Sequence, residues 1–158
     1  MWSPPPRLTV TEWSEQFRRL STEASSMPGM FRIELAPYQA EPMNSVMDQS
    51  VQSVVLMWAS QTGKTEIINN IIGYHIDLDP SPILCLQPTL EIATSWSTDR
   101  LSPMVRDTPV LKKLVADPKA RDSGNTKLHK KFMGGHITIA GANSPASLAV
   151  RPIRVVLC

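Results

Sequence analysis

Residues 54–65 read VVLMWASQTGKT, an apolar run that ends in a short polar turn closing on Gly63-Lys64-Thr65. These residue types suit a polyphosphate. Backbone N–H groups of a tight loop and the positive end of a helix dipole supply donors and favourable potential. Gly63 lets the backbone approach an anion with no Cβ in the way. Lys64 is a point charge that reaches β- and γ-phosphate oxygens. The Thr65 hydroxyl is a candidate ligand for Mg²⁺, which takes its remaining oxygens from water and phosphate. Ser60, Gln61, Thr62 and Gly63 form the cradle itself, the last three offering main-chain N–H groups.

The full phosphate-loop pattern asks for a glycine five residues before Gly63, and Trp58 stands there instead. The tripeptide alone also fits an ordinary helix start with Thr62 as its cap. The apolar strand-like run before it and Ile67, Ile68, Ile71 and Ile72 after it favour the phosphate-binding reading.

These residues need a frame. At 158 residues, with 42% apolar and 19% charged side chains, the chain is globular in composition and long enough for one sizeable core. A net charge of +2 permits a nucleic-acid partner without arguing for one. Cys85 and Cys158 lie in apolar runs and are expected as buried free thiols of a reducing compartment. No secretion signal opens the chain, and no apolar run approaches the ~20 residues that span a bilayer, so no membrane role is expected.

The pattern predicts an α/β fold with a mainly parallel sheet and helices on both faces, preceded by a helical lead-in. Residues 1–50 form the lead-in and 51–158 a partial core. A helix is expected over 9–20, where Thr9 and Glu12 have capping-box spacing, and another over 41–49. Strand 51–57 and helix 64–75 flank the loop. Strand 83–87 follows, then a helix capped by Thr89 with Ile92, Ala93 and Trp96 inward. Short helices broken at Pro109 come next, followed by a polar, basic stretch over 119–131 and strands over 136–140 and 153–158.

Several blocks, taken in order, resemble a known family: LTVTEWSEQFRRLS, APYQAEPMNSVMD, WASQTGKTE, LQPTLEIATSWSTDRLSPMVRDTP and KKFMGGHITIAGANSPASLAVRPIRVVLC. The resemblance is to the N-terminal ATPase region of the large subunit of tailed-phage DNA-packaging terminase, of the lambda-like type. It implies a P-loop ATPase fold and an ATP- and Mg²⁺-dependent motor that moves double-stranded phage DNA into a procapsid. The implied partners are a small terminase subunit, the portal and, at full length, further copies of the chain. The implied compartment is the cytoplasm of a bacterial host, the gene being carried by a phage or prophage.

The resemblance places Gln39 where related motors contact adenine, and makes Arg151 a candidate for phosphate sensing beside Asn143, Ser144 and Ser147. Ser60 stands where some members carry an arginine. The family pattern continues with Asp-Glu after Cys158. The chain is therefore expected to be an N-terminal piece or truncated product ending at the Walker B strand, with weak nucleotide binding and negligible hydrolysis alone. The family's sheet also sets a further strand beside the phosphate-loop strand, so an open edge is expected. The alternatives are another P-loop enzyme, such as a helicase-like remodeller, and an inactive prophage remnant. Lys112, Lys113, Lys119, Arg121, Lys127, Lys130 and Lys131 form a basic band that reads either as a solvated face or as a DNA-backbone contact.

Overall fold

The computed structural model describes residues 7–23, 25–115, 125–143 and 152–158. Helix α1 spans Val10–Phe17. Its start is the expected capping box: Glu12 N donates to Thr9 Oγ1 at 3.2 Å and Thr9 N donates to Glu12 Oε2 at 2.7 Å. It stops earlier than the predicted Leu20 because Arg18 turns extended, and β1 (Arg19–Leu20) then pairs antiparallel with β2 (Gly29–Met30). Two 3-10 turns, Ile33–Leu35 and Pro37–Gln39, lead into α2 (Ala40–Ser45), which is shorter than expected.

Helix α3 (Lys64–Asp77) begins in the Gly-Lys-Thr motif. It is followed by β3 (Pro82–Gln87) and by α4 (Leu90–Trp96), where Ile92 N donates to the capping Thr89 Oγ1. A π turn, Ser97–Leu101, joins α4 to α5 (Ser102–Asp107) without a break. Pro103 explains it. Proline has no N–H for the helix ladder and its ring crowds the carbonyl four residues back, so the chain widens by one residue and Ser102 N bonds Ser97 O. Pro109 starts a separate helix, α6 (Pro109–Leu114), as the sequence predicts.

The main sheet comprises β4 (His129–Phe132), β5 (Gly135–Gly141) and β6 (Val155–Leu157) with β3, in the order β4-β5-β3-β6. Strand β3 is central and parallel to both neighbours, with Pro82 opposite His136 and Ile83 opposite Val155. Strand β4 is an antiparallel edge. The stretch expected only as polar and basic thus enters the sheet at its end: Lys130 and Phe132 point inward while Lys131 is exposed, a strand alternation hidden by two charges.

Residues 51–57 are a second correction. They form no strand; Val55 is 77% and Met57 92% exposed. A strand is held by its neighbours' backbone, and no described residue pairs with this run. Cys158 is exposed, not buried, because it lies past the end of β6, whereas Cys85 sits in the core of β3. Ile92 is 46% exposed; the buried side of α4 runs through Ala93 and Trp96 and leaves Ile92 on its flank.

Ile67, Ile71, Ile72 and Ile76 of α3 share one core with Ile83 of β3 and Ile137 and Ile139 of β5. Trp13 of α1 locks the lead-in to α3. Its ring is fully buried over Gly73, where an added Cβ would meet the indole at 2.2 Å, and its Nε1 donates to Asp77 Oδ2 at 2.8 Å. Asn44 of α2 ties the same helix from the other side, its Oδ1 accepting from both the N–H and the hydroxyl of Thr11. At the far end of α3, buried His75 lies 3.3 Å from Asp79, which also pairs with Arg154 at 2.9 Å.

Two outcomes follow from this packing. In an open helix, Gly73→Ala would stabilise by about 1 kcal/mol. Against the Trp13 ring it is expected to cost about 1–3 kcal/mol in urea unfolding, and a stabilised variant would contradict the contact. Burial, partly opposed by the Asp79 carbonyl and carboxylate, holds His75 below the ordinary histidine value of 6.5. The unfolded chain therefore takes up more protons there, so this contribution to stability is present above pH 6.5 and is lost as pH falls below it. The melting temperature should drop on acidification through that range, and His75→Asn should flatten the slope; equal slopes would refute the assignment.

Candidate phosphate-binding loop

The loop is built by the chain turning sharply into α3. Gln61 has φ 59°, the one non-glycine residue with positive φ among those described, and Gly63 follows at φ 83° as the residue before the helix. Both lie in the left-handed region, which costs a non-glycine residue and persists where surroundings impose it. The turn opens α3 at Lys64, so the Lys64 and Thr65 amides are first-turn N–H groups with no partner within the helix. The helix dipole adds positive potential there.

Thr62 does not cap the helix. Its hydroxyl donates to Ala59 O at 2.8 Å and closes the turn instead. Lys64 does not trail into solvent: its Nζ donates to Trp58 O at 3.0 Å, across the loop. The tryptophan that replaces the expected glycine thus supplies a main-chain acceptor for the ammonium. Its ring packs edge-on against Tyr38, with centroids 5.1 Å apart. Trp58 is thus a packing residue as well.

Two side chains from the lead-in hold the loop from behind. The Tyr38 hydroxyl donates to Thr62 O at 3.1 Å, and Gln39 Nε2 donates to the same oxygen at 3.3 Å. Gln39 is buried, and its amide nitrogen lies 2.3 Å from where a Cβ on Gly63 would stand. So Gly63 is required twice, for its φ and for the room Gln39 takes. Sequence reasoning singled out Gln39 but gave Tyr38 no role; the Pro37-Tyr38-Gln39 turn is the local signal that could have paired them.

The structure brings Gln39, Ser60, Gln61, Thr62, Gly63, Lys64 and Thr65 to one end of α3. Arg151, Ser144 and Ser147 lie outside the described residues, as do Lys119 and Arg121 of the basic band. Within the band, Lys112, Lys113, Lys127 and Lys131 are exposed, but Lys130 is buried and burial pushes its ammonium below the usual lysine range. The band is therefore not one continuous charged face. Among the described residues no group of three His, Cys, Asp or Glu side chains is placed to hold a metal ion, and no helix is long and apolar enough to cross a membrane.

With this geometry in view, the chain can be compared with known proteins. No curated protein matches it. The crystal structure of the HK97 bacteriophage large terminase is similar at a TM-score of 0.70 and 19% identity, over 94% of this chain and 30% of that one. That likeness carries the fold, and this chain spans under a third of the HK97 protein. The family described as phage terminase large subunit gpA, ATPase domain, matches residues 25–158, which include the loop, the helix it opens and the whole main sheet. The chain belongs to the phage terminase large subunit gpA ATPase-domain family.

Proposed function

We propose that the chain is the nucleotide-binding part of a DNA-packaging motor, binding ATP with Mg²⁺ at the loop before α3. The observation that carries this is the Lys64 ammonium held inside the loop, on the Trp58 carbonyl, at the positive end of a helix of 14 residues. An ammonium bonded to a single neutral oxygen can exchange it for charged phosphate oxygens at a net gain, since charge-assisted hydrogen bonds are the stronger kind.

In this reading the N–H groups of Gln61, Thr62, Gly63, Lys64 and Thr65 cradle the phosphates, with Ser60 at the rim. Thr65 Oγ1 would hold Mg²⁺, and its place in the first helical turn, one residue after Lys64, suits that role. Bound there, the cation supplies charge neutralisation between phosphate oxygens. Gln39 sits behind the loop with its amide N–H engaged on Thr62, so any contact it makes to a base goes through its remaining polar valences. Arg151 stays a candidate for sensing the transferred phosphate, and the parent protein would act with phage DNA, a small terminase subunit, a portal and further copies of itself in the host cytoplasm.

Titration of the chain with ATP, with and without Mg²⁺, tests the reading. Lys64→Ala removes a charged donor worth about 1.5–3 kcal/mol, so affinity should fall about 10- to 100-fold, and Mg²⁺ should tighten binding to the wild type. Equal affinity of wild type and variant would contradict the assignment.

A further inference from the structure

Glu66 lies next to Thr65 in the first turn of α3. A carboxylate is welcome at a helix N-terminus on its own. Here the same helix end must also receive a polyphosphate, and an uncompensated Glu66 would repel it. The compensation comes from outside the loop and its helix. Arg18, the residue that ends α1, places Nη2 3.0 Å from Glu66 Oε2, with the arginine side chain 3% and the glutamate 22% exposed. The second carboxylate oxygen, Oε1, accepts from Asn69 Nδ2 at 3.4 Å, so both oxygens of Glu66 are engaged. Arg18 is itself held by a hydrogen bond from Nη1 to the Arg19 carbonyl, and it lies in the field of Asp107 at the end of α5.

This cluster is a poor device for stability. Buried ion pairs recover their desolvation only when every polar atom is satisfied. Arg18 Nε and Asn69 Oδ1 are buried with no partner among the described residues. An apolar pair of the same volume would serve packing at least as well. What Arg18 does beyond packing is cancel the Glu66 charge, one residue from Thr65.

We propose that Arg18 is a positioning residue of the nucleotide site: it neutralises Glu66 and fixes the first turn of α3, so that Lys64 and Thr65 face an incoming polyphosphate. The inference rests on the nucleotide-binding reading above. It makes the lead-in a part of the site, and by linkage makes nucleotide binding tighten the seating of α1 on α3.

The test compares wild type, Arg18→Met, and Arg18→Met combined with Glu66→Gln, each titrated with ATP and with adenosine and each melted. Arg18→Met is expected to weaken ATP by about tenfold while leaving adenosine within about threefold, because the exposed charge acts on phosphates. The double variant, with both charges gone, should return to within about threefold of wild type for ATP. Equal losses for ATP and adenosine, or no recovery in the double variant, mark a structural role only and overturn the proposal. If Arg18→Met does not fold, Glu66→Gln alone decides: ATP affinity at least equal to wild type supports neutralisation, and a clear loss overturns it. Wild type that binds no ATP would defeat the nucleotide reading first and this inference with it. Wild-type binding that Arg18→Met leaves intact would defeat this inference alone.

Discussion

The structure depends on one tight turn, in which Gly63 takes a left-handed conformation with the Gln39 amide packed against its missing Cβ. Everything at the candidate site follows from that turn. It ends the unpaired apolar run and starts α3. It brings the Thr62 carbonyl under the Tyr38 and Gln39 donors, and it brings the Lys64 ammonium to the Trp58 carbonyl. A side chain at position 63 would break both the backbone conformation and the contact behind it, so the loop and the lead-in are parts of one arrangement.

The rest of the fold holds α3 in place. Trp13 over Gly73 fastens one side, Asn44 on Thr11 braces the helix that carries Trp13, and the isoleucines of α3 share a core with β3 and β5. The Asp79 turn at the other end of the helix links His75, Ser81 and Arg154, joining the end of α3 to β6. The candidate site is thus at the end of a helix anchored along its length. That is what a site needs if binding is to act on a preorganised loop and not pay for ordering one.

Much of this was legible in the sequence. The Thr9–Glu12 capping box, the helix beginning at Lys64, the Thr89 cap, the break at Pro109 and the apolar runs that become β3, β5 and β6 are local signals, set by residues within a few positions of each other, and the structure shows them. What the sequence hid is long-range. The run 51–57 has strand composition, but a strand exists only with a neighbour, and composition does not report neighbours. Strand β4 was hidden because Lys130 and Lys131 look solvated, although one of them is buried. The π turn at Ser97–Leu101 follows from Pro103, yet a proline alone does not say whether a helix will break or widen. Tyr38 reaches the loop across 24 positions and Arg18 reaches Glu66 across 48, distances at which spacing carries no signal.

The central claim is that the turn before α3 takes up polyphosphate through its main-chain amides and the Lys64 ammonium. Amide NMR of the chain during addition of Mg²⁺ and ATP tests it most directly. The account expects the largest shifts at Gly63, Lys64 and Thr65, with Glu66 and Gln39 following at the same saturation. Shifts that leave these residues unmoved and gather instead at the exposed lysines 112, 113, 127 and 131 would contradict it.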